Sequence, residues 1–168
     1  MTTDVRIARM LLITLVLSCI AQGFHAYSMF PDTLAVHFAL NGVADRWYNT
    51  MYYVLANSVL AMLLGVIFFM VPGWVYRSSP QWWNIPRREY WLAPARRTAT
   101  LIMLMRVFAW LGCSILALMN LVVRTVIIAN EQGNRITIRI ETIIAVFLVV
   151  ILGGLVVLHR YFARQQRN

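Results

Sequence analysis

Four apolar runs, at 7–27, 51–71, 101–129 and 142–158, dominate the chain, and each reaches the roughly 17 residues that suffice for an α-helix to cross a bilayer. With 61% hydrophobic residues, against about 45–50% in soluble domains, a chain of 168 residues cannot hide this surface from water. Lipid must solvate it. The reading is an all-α integral membrane protein: a four-transmembrane-helix bundle forming a single membrane domain. Val16-Leu17-Ser18-Cys19 faintly resembles a lipoprotein cleavage box, but Leu17 fits poorly and the apolar run continues beyond it, so a retained first helix is expected.

The formal net charge is +9, and every basic residue that carries it is arginine. No basic stripe alternates with exposed aromatics as nucleic-acid binding would need, so no nucleic-acid partner is expected. The arginines flank the apolar runs instead and read as topology signals. Arg6, Arg9, Arg77, Arg87, Arg88, Arg96, Arg97, Arg160, Arg164 and Arg167 lie on one side of the runs, and Arg46, Arg135 and Arg139 on the other. Ten against three predicts cytoplasmic N and C termini, a cytoplasmic loop at 72–100, and an ordered extracytoplasmic loop at 28–50. Arg106 and Arg124 fall inside the third run. Arg106 is close enough to its cytoplasmic end to snorkel. Cys19 and Cys113, each about twelve residues above the inner start of its run, are expected at one depth near mid-membrane as small hydrophobes.

The outer loop is the longest polar-bearing interruption on its side. Pro31, Asn41-Gly42 and Asp45 are turn formers. Between them Leu34, Val36, Phe38 and Leu40 alternate with Ala35, His37 and Ala39, a period of two. This predicts an extended segment with one apolar edge and His37 opposite it, then a turn, then Trp47 and Tyr48 at a membrane surface.

Polar groups within lipid need a partner or a water-lined face. Gln22, His25, Asn57, Asn120, Arg124 and Glu141 all fall in the outer parts of their runs, with Asn120 and Arg124 four residues apart on the third. Two readings stand: a small outward-facing polar cavity roofed by the His37–Trp47 loop, with Arg124 neutralised by Glu141, Asp45 or Asp32, or separate residues at headgroup depth. His25, His37, Asp45 and Glu141 offer metal-ligand types but no ligand spacing, so no metal and no cofactor is expected. No Ser or Cys has a nearby His in a catalytic frame. His37 with Asp45 could handle protons. On the cytoplasmic side, Trp82, Trp83, Tyr90 and Trp91 stand among Arg87, Arg88, Arg96 and Arg97, the composition of a segment lying at the interface on anionic lipid. A docking site for a cytoplasmic protein is the alternative.

The two loops together resemble a known family. Pro31-Asp-Thr-x-x-x-His37-Phe38-x-x-x-Gly42-x-x-Asp45-x-Trp47, and Asn84-Ile-Pro86 followed by Tyr90-Trp91-Leu92-Ala-Pro94 and Arg96-Arg97, are similar to the domain of unknown function that opens SdpI-type bacterial membrane proteins. The likeness covers roughly residues 10–97. The chain departs from the family pattern at Ala35 and Ala44, where proline is usual, and lacks the longer multi-span C-terminal part. The resemblance implies a bacterial cytoplasmic (inner) membrane protein, and its one assigned role is immunity to a secreted membrane-active peptide toxin. The expected function is therefore non-enzymatic: immunity to, or sensing of, such a peptide. His37, Asp45, Trp47, Arg124, Asn120, His25 and Glu141 would form the outer recognition surface. Asn84, Pro86, Tyr90, Trp91, Arg96 and Arg97 would form the inner interface motif. A membrane enzyme or transporter acting on a lipid or small solute, and an accessory subunit of a larger complex, are the competing classes.

Overall fold

The computed structural model describes residues 3–39, 41–82, 85–136 and 140–164. In chain order they form helix α1 (Thr3–Met29), strands β1 (Thr33–Phe38) and β2 (Ala44–Asn49), and helix α2 (Thr50–Arg77). A 3-10 turn (Pro80–Trp82) and a short helix α3 (Arg88–Trp91) follow, then helices α4 (Pro94–Glu131) and α5 (Ile140–Arg164). The four long helices contain the four apolar runs, and each is long and apolar enough to cross a membrane. All overshoot the runs that predict them. At 38 residues α4 is about 57 Å long, nearly twice a hydrocarbon core of about 30 Å, so it must tilt or project from it. Pro94 sits in its first turn, where the missing N–H has no intrahelical acceptor to lose.

Helices α1, α2 and α4 pack against one another in all three pairings, and α5 lies against α4 on the outside. The shared core is built from small and branched side chains, among them Leu12, Cys19, Ala61, Ala109, Cys113 and Leu116. Glycines set the closest approaches. A Cβ at Gly65 would lie 2.6 Å from Val16 Cγ2, and one at Gly112 would overlap the Phe68 side chain. In lipid, no hydrophobic force draws helices together, so close backbone approach is how they gain contact.

The register between α1 and α4 overturns one expectation. The Cys113 thiol donates to Ala8 O at 3.1 Å, which places Cys113 beside the early turns of α1. Cys19 lies eleven residues further on, about 16 Å along the axis. The cysteines do not share a depth, because the starts of the two apolar runs lie at different heights. Arg106, expected to snorkel, has a partner at that end: its Nη2 pairs with Asp4 Oδ2 at 3.1 Å, since α1 begins early enough to bring a carboxylate alongside.

The two ends of the bundle are built differently. At one, the start of α1 meets the end of α2, where Arg9 Nη2 donates to Phe69 O at 3.2 Å and stacks on the Phe69 ring. There Val75, Trp91, Leu92, Leu101, Leu104 and Phe162 form a second core that ties α3 to the end of α5. At the other end, β1 and β2 form an antiparallel hairpin that joins α1 to α2.

Candidate functional site

The hairpin pairs regularly at first, with Thr33 opposite Asn49, Leu34 opposite Tyr48 and Ala35 opposite Trp47. It then shifts, so that His37 opposes Arg46 and Phe38 opposes Ala44, leaving Val36 and Asp45 without partners. Such irregularities re-aim side chains. Here Asp45 Oδ1 comes to 2.5 Å from His37 Nδ1, with both side chains about half exposed.

The strict alternation read for β1 does not hold. Leu34 and Ala35 are both fully buried, Val36 is half-buried, His37 is exposed and Phe38 is buried. Burial on both faces arises because α4 overshoots the bundle and sets Ala129 against Ala35, on the face the sequence pattern leaves open, while the register shift brings Phe38 and Ala44 into the same cluster. Leu40 lies outside the described residues.

Asn130 makes this docking specific. Ala35 N–H donates to Asn130 Oδ1 at 2.9 Å, and Asn130 Nδ2 donates to Ala35 O at 2.8 Å and to Val126 O at 2.8 Å. The side-chain amide thus takes the place of a neighbouring strand for one residue of β1. The α4–α5 turn completes the cap. Ile136 N–H donates to Gly42 O at 2.9 Å and Ala44 N–H to Asn134 O at 3.0 Å, while Val43 bridges Arg135. Gly42 has φ +79°, and a Cβ there would lie 2.8 Å from Ile136 O, so both its conformation and its space call for glycine. Within the α4–α5 turn, Gly133 and Asn134 take φ of 77° and 62°.

The residues expected to line one outer cavity separate into five places. Gln22 Nε2 donates to Asn120 Oδ1 at 2.8 Å, and Asn120 Nδ2 donates to Leu15 O at 3.0 Å and to Leu116 O at 2.9 Å, a closed contact between α1 and α4. His25 Nε2 lies 3.7 Å from Glu131 Oε1. Glu141 joins His37, Phe38, Ala39 and Asn41 around an open cleft of about 660 Å³. Asn57 turns back on Tyr53 O of its own helix at 2.9 Å. Arg124 is exposed, and among the described residues it lies within ion-pair range of none of Asp32, Asp45 and Glu141. Helical spacing puts Asn120 and Arg124 on neighbouring parts of α4, but only Asn120 is turned into the contact with α1.

Trp47 and Tyr48 are exposed on β2. At the opposite end, Trp91 is turned inward: its Nε1 donates to Phe162 O at 2.9 Å, and its ring stacks on Tyr161 at 5.6 Å. Thr100 Oγ1 donates to Trp91 O at 2.9 Å. The guanidinium of Arg96 covers the Tyr90 ring at 3.9 Å, and Arg97 Nη2 donates to Ser78 O at 3.4 Å. Pro86 is half-buried in the turn before α3, Trp82 is exposed, and Asn84 and Trp83 lie outside the described residues. Much of the inner motif therefore works as an internal latch. Among the described residues no group of three or more His, Cys, Asp or Glu side chains is placed to hold a metal.

Sequence reasoning passed over Asn130, Glu131 and Asp4. Asn130 carried a usable signal: it is a lone amide closing the apolar stretch Val126–Ala129, where an unpaired polar group in lipid would be costly.

The fold and this site define a helical membrane protein with a hairpin cap docked on one end of its bundle. No family model, no curated relative and no solved structure matches the chain.

Proposed function

We propose that the chain is a multi-pass protein of the bacterial cytoplasmic membrane that recognises a membrane-active peptide on its outer side, in the manner of SdpI-type immunity proteins. The arginine count supports the orientation, with the termini and α3 inside and the hairpin outside. The observation that carries the recognition reading is the hairpin itself. It is held on α4 through Asn130 and displays the His37–Asp45 pair beside Trp47 and Tyr48. A peptide arriving in the outer leaflet would meet aromatic rings at headgroup depth and a hydrogen-bonded polar pair on a pre-ordered backbone. The exposed Trp82 ring and the neighbouring arginines would rest on the inner surface, with a cytoplasmic protein as a further partner there.

The enzyme or transporter reading draws support from the cleft that brings His37 and Glu141 together. One experiment separates the two. In cells exposed to the peptide, His37→Ala and Asp45→Asn should lower survival and leave membrane-lipid composition unchanged. Altered lipids with unchanged survival would favour the enzyme. A cysteine at position 41 should react with an impermeant thiol reagent in intact cells; labelling only after lysis would reverse the orientation and sink the recognition reading with it.

A further inference from the structure

α5 is the least supported of the four long helices. Among its described residues only Phe162 is buried, beside the Trp91 latch. Away from that latch, α5 stands off α4 across two apolar grooves of about 470 and 590 Å³. Ser114, Val150 and Ile151 line both, so the grooves form one furrow. Its half nearer the latch runs from Ser114 back to Met103 on α4 and from Val150 to Tyr161 on α5. Eleven residues of helix span about 17 Å, close to half of a hydrocarbon core of about 30 Å. That is the depth of one leaflet.

Beyond the latch end of this half, each of the two helices carries an arginine. Arg160 adjoins Tyr161, which lines the furrow, but stands on the Gly153 side of α5, so its long side chain must bend round Val157 to reach the mouth. Arg96 lies two turns before Met103 on the same side of α4. A chain of contacts links it to the furrow end: its guanidinium stacks on Tyr90 at 3.9 Å, Tyr90 meets Trp91 edge-on at 5.2 Å, and Trp91 stacks on Tyr161 at 5.6 Å. Among the described residues no carboxylate lies within ion-pair range of Arg96 or Arg160.

We propose that this half-furrow is a binding site for an anionic phospholipid, whose acyl chains fill the gap between α4 and α5 and whose phosphate is held by Arg96 and Arg160. The lipid would complete the seat of α5. Charge selects this occupant over a second copy of the chain. A two-fold dimer across the furrow within one membrane would bring the basic end of each copy against the same end of the other. A zwitterionic lipid would fill the gap and offer the same phosphate, but its own ammonium cancels that charge, so it brings no net counter-charge to the two guanidinium groups. The inference needs the helices to lie in a bilayer and is independent of what the hairpin recognises.

The test uses the full chain in mild detergent, analysed by native mass spectrometry with added dioleoylphosphatidylglycerol or dioleoylphosphatidylcholine. Phosphatidylglycerol should bind in preference. Each of Arg96→Gln and Arg160→Gln should weaken it about fivefold, the effect of removing one arginine from a phosphate. Gly154→Leu should displace the lipid: Gly154 lines the furrow and nothing lies within 4 Å of a Cβ there, so the new side chain enters open space. Gly153→Leu, with equal room but off the furrow lining, is the matched control and should bind normally. Equal retention of the two lipids, or phosphatidylglycerol binding unmoved by both arginine variants, would overturn the proposal. So would a lipid-free dimer that Gly154→Leu breaks and Gly153→Leu does not.

Discussion

The carboxamide of Asn130 satisfies both the N–H and the C=O of Ala35, 95 residues earlier in the chain. One side chain near the end of α4 thereby acts as an extra strand beside β1. Leucine in its place would orphan two buried peptide groups at about 1–3 kcal/mol each. Asn130→Leu should therefore release the hairpin while the helices persist. Hydrogen exchange at Ala35 should accelerate strongly against an unchanged helical circular dichroism signal. Asn130→Asp keeps the acceptor and loses the donor, and should fall between.

The His37–Asp45 contact should behave in the opposite way. Their side chains are 56% and 43% exposed, so solvent screens the pair and its contribution to stability should stay within about 1 kcal/mol. Asp45→Asn is expected to leave the thermal midpoint in detergent nearly unchanged while reducing tolerance to the peptide. A large drop in midpoint would make the pair structural.

Gly112 and Gly153 offer a matched contrast within the helices. Leucine at Gly112 would drive into Phe68 and push α2 from α4, costing about 1–3 kcal/mol or more. Alanine at Gly153 meets nothing within 4 Å and should be neutral or stabilise α5 by up to about 1 kcal/mol through helix propensity. Unfolding in graded sodium dodecyl sulfate would rank them.

Trp91 should control the docking of α5. Trp91→Phe removes the donor to Phe162 O and keeps a ring, at about 1 kcal/mol. Trp91→Ala removes the stack as well, at about 3–5 kcal/mol. Proteolysis near residues 160–164 should quicken slightly in the first variant and markedly in the second.

The four long helices, the turn at Gly133-Asn134, Pro94 at a helix start and the extended character of the outer loop could all be read from the chain alone. They depend on local quantities: the length of an apolar run, the backbone freedom of glycine, the missing N–H of proline. His37 and Asp45 could be named as a pair, but not shown to touch, because their contact depends on a register shift between strands that no single strand encodes. The relative heights of the helices were beyond local reasoning for the same kind of cause. Apolar runs say where lipid can solvate a helix, not how far one slides along another, and that offset decided that Cys19 and Cys113 part, that Asp4 reaches Arg106, and that Asn120 meets Gln22 while Arg124 faces outward. Burial on both faces of β1 likewise came from α4 passing beyond the bundle end to set Ala129 and Asn130 against it. Solvation is written residue by residue; register is a property of pairs of elements, and only their packing chose it.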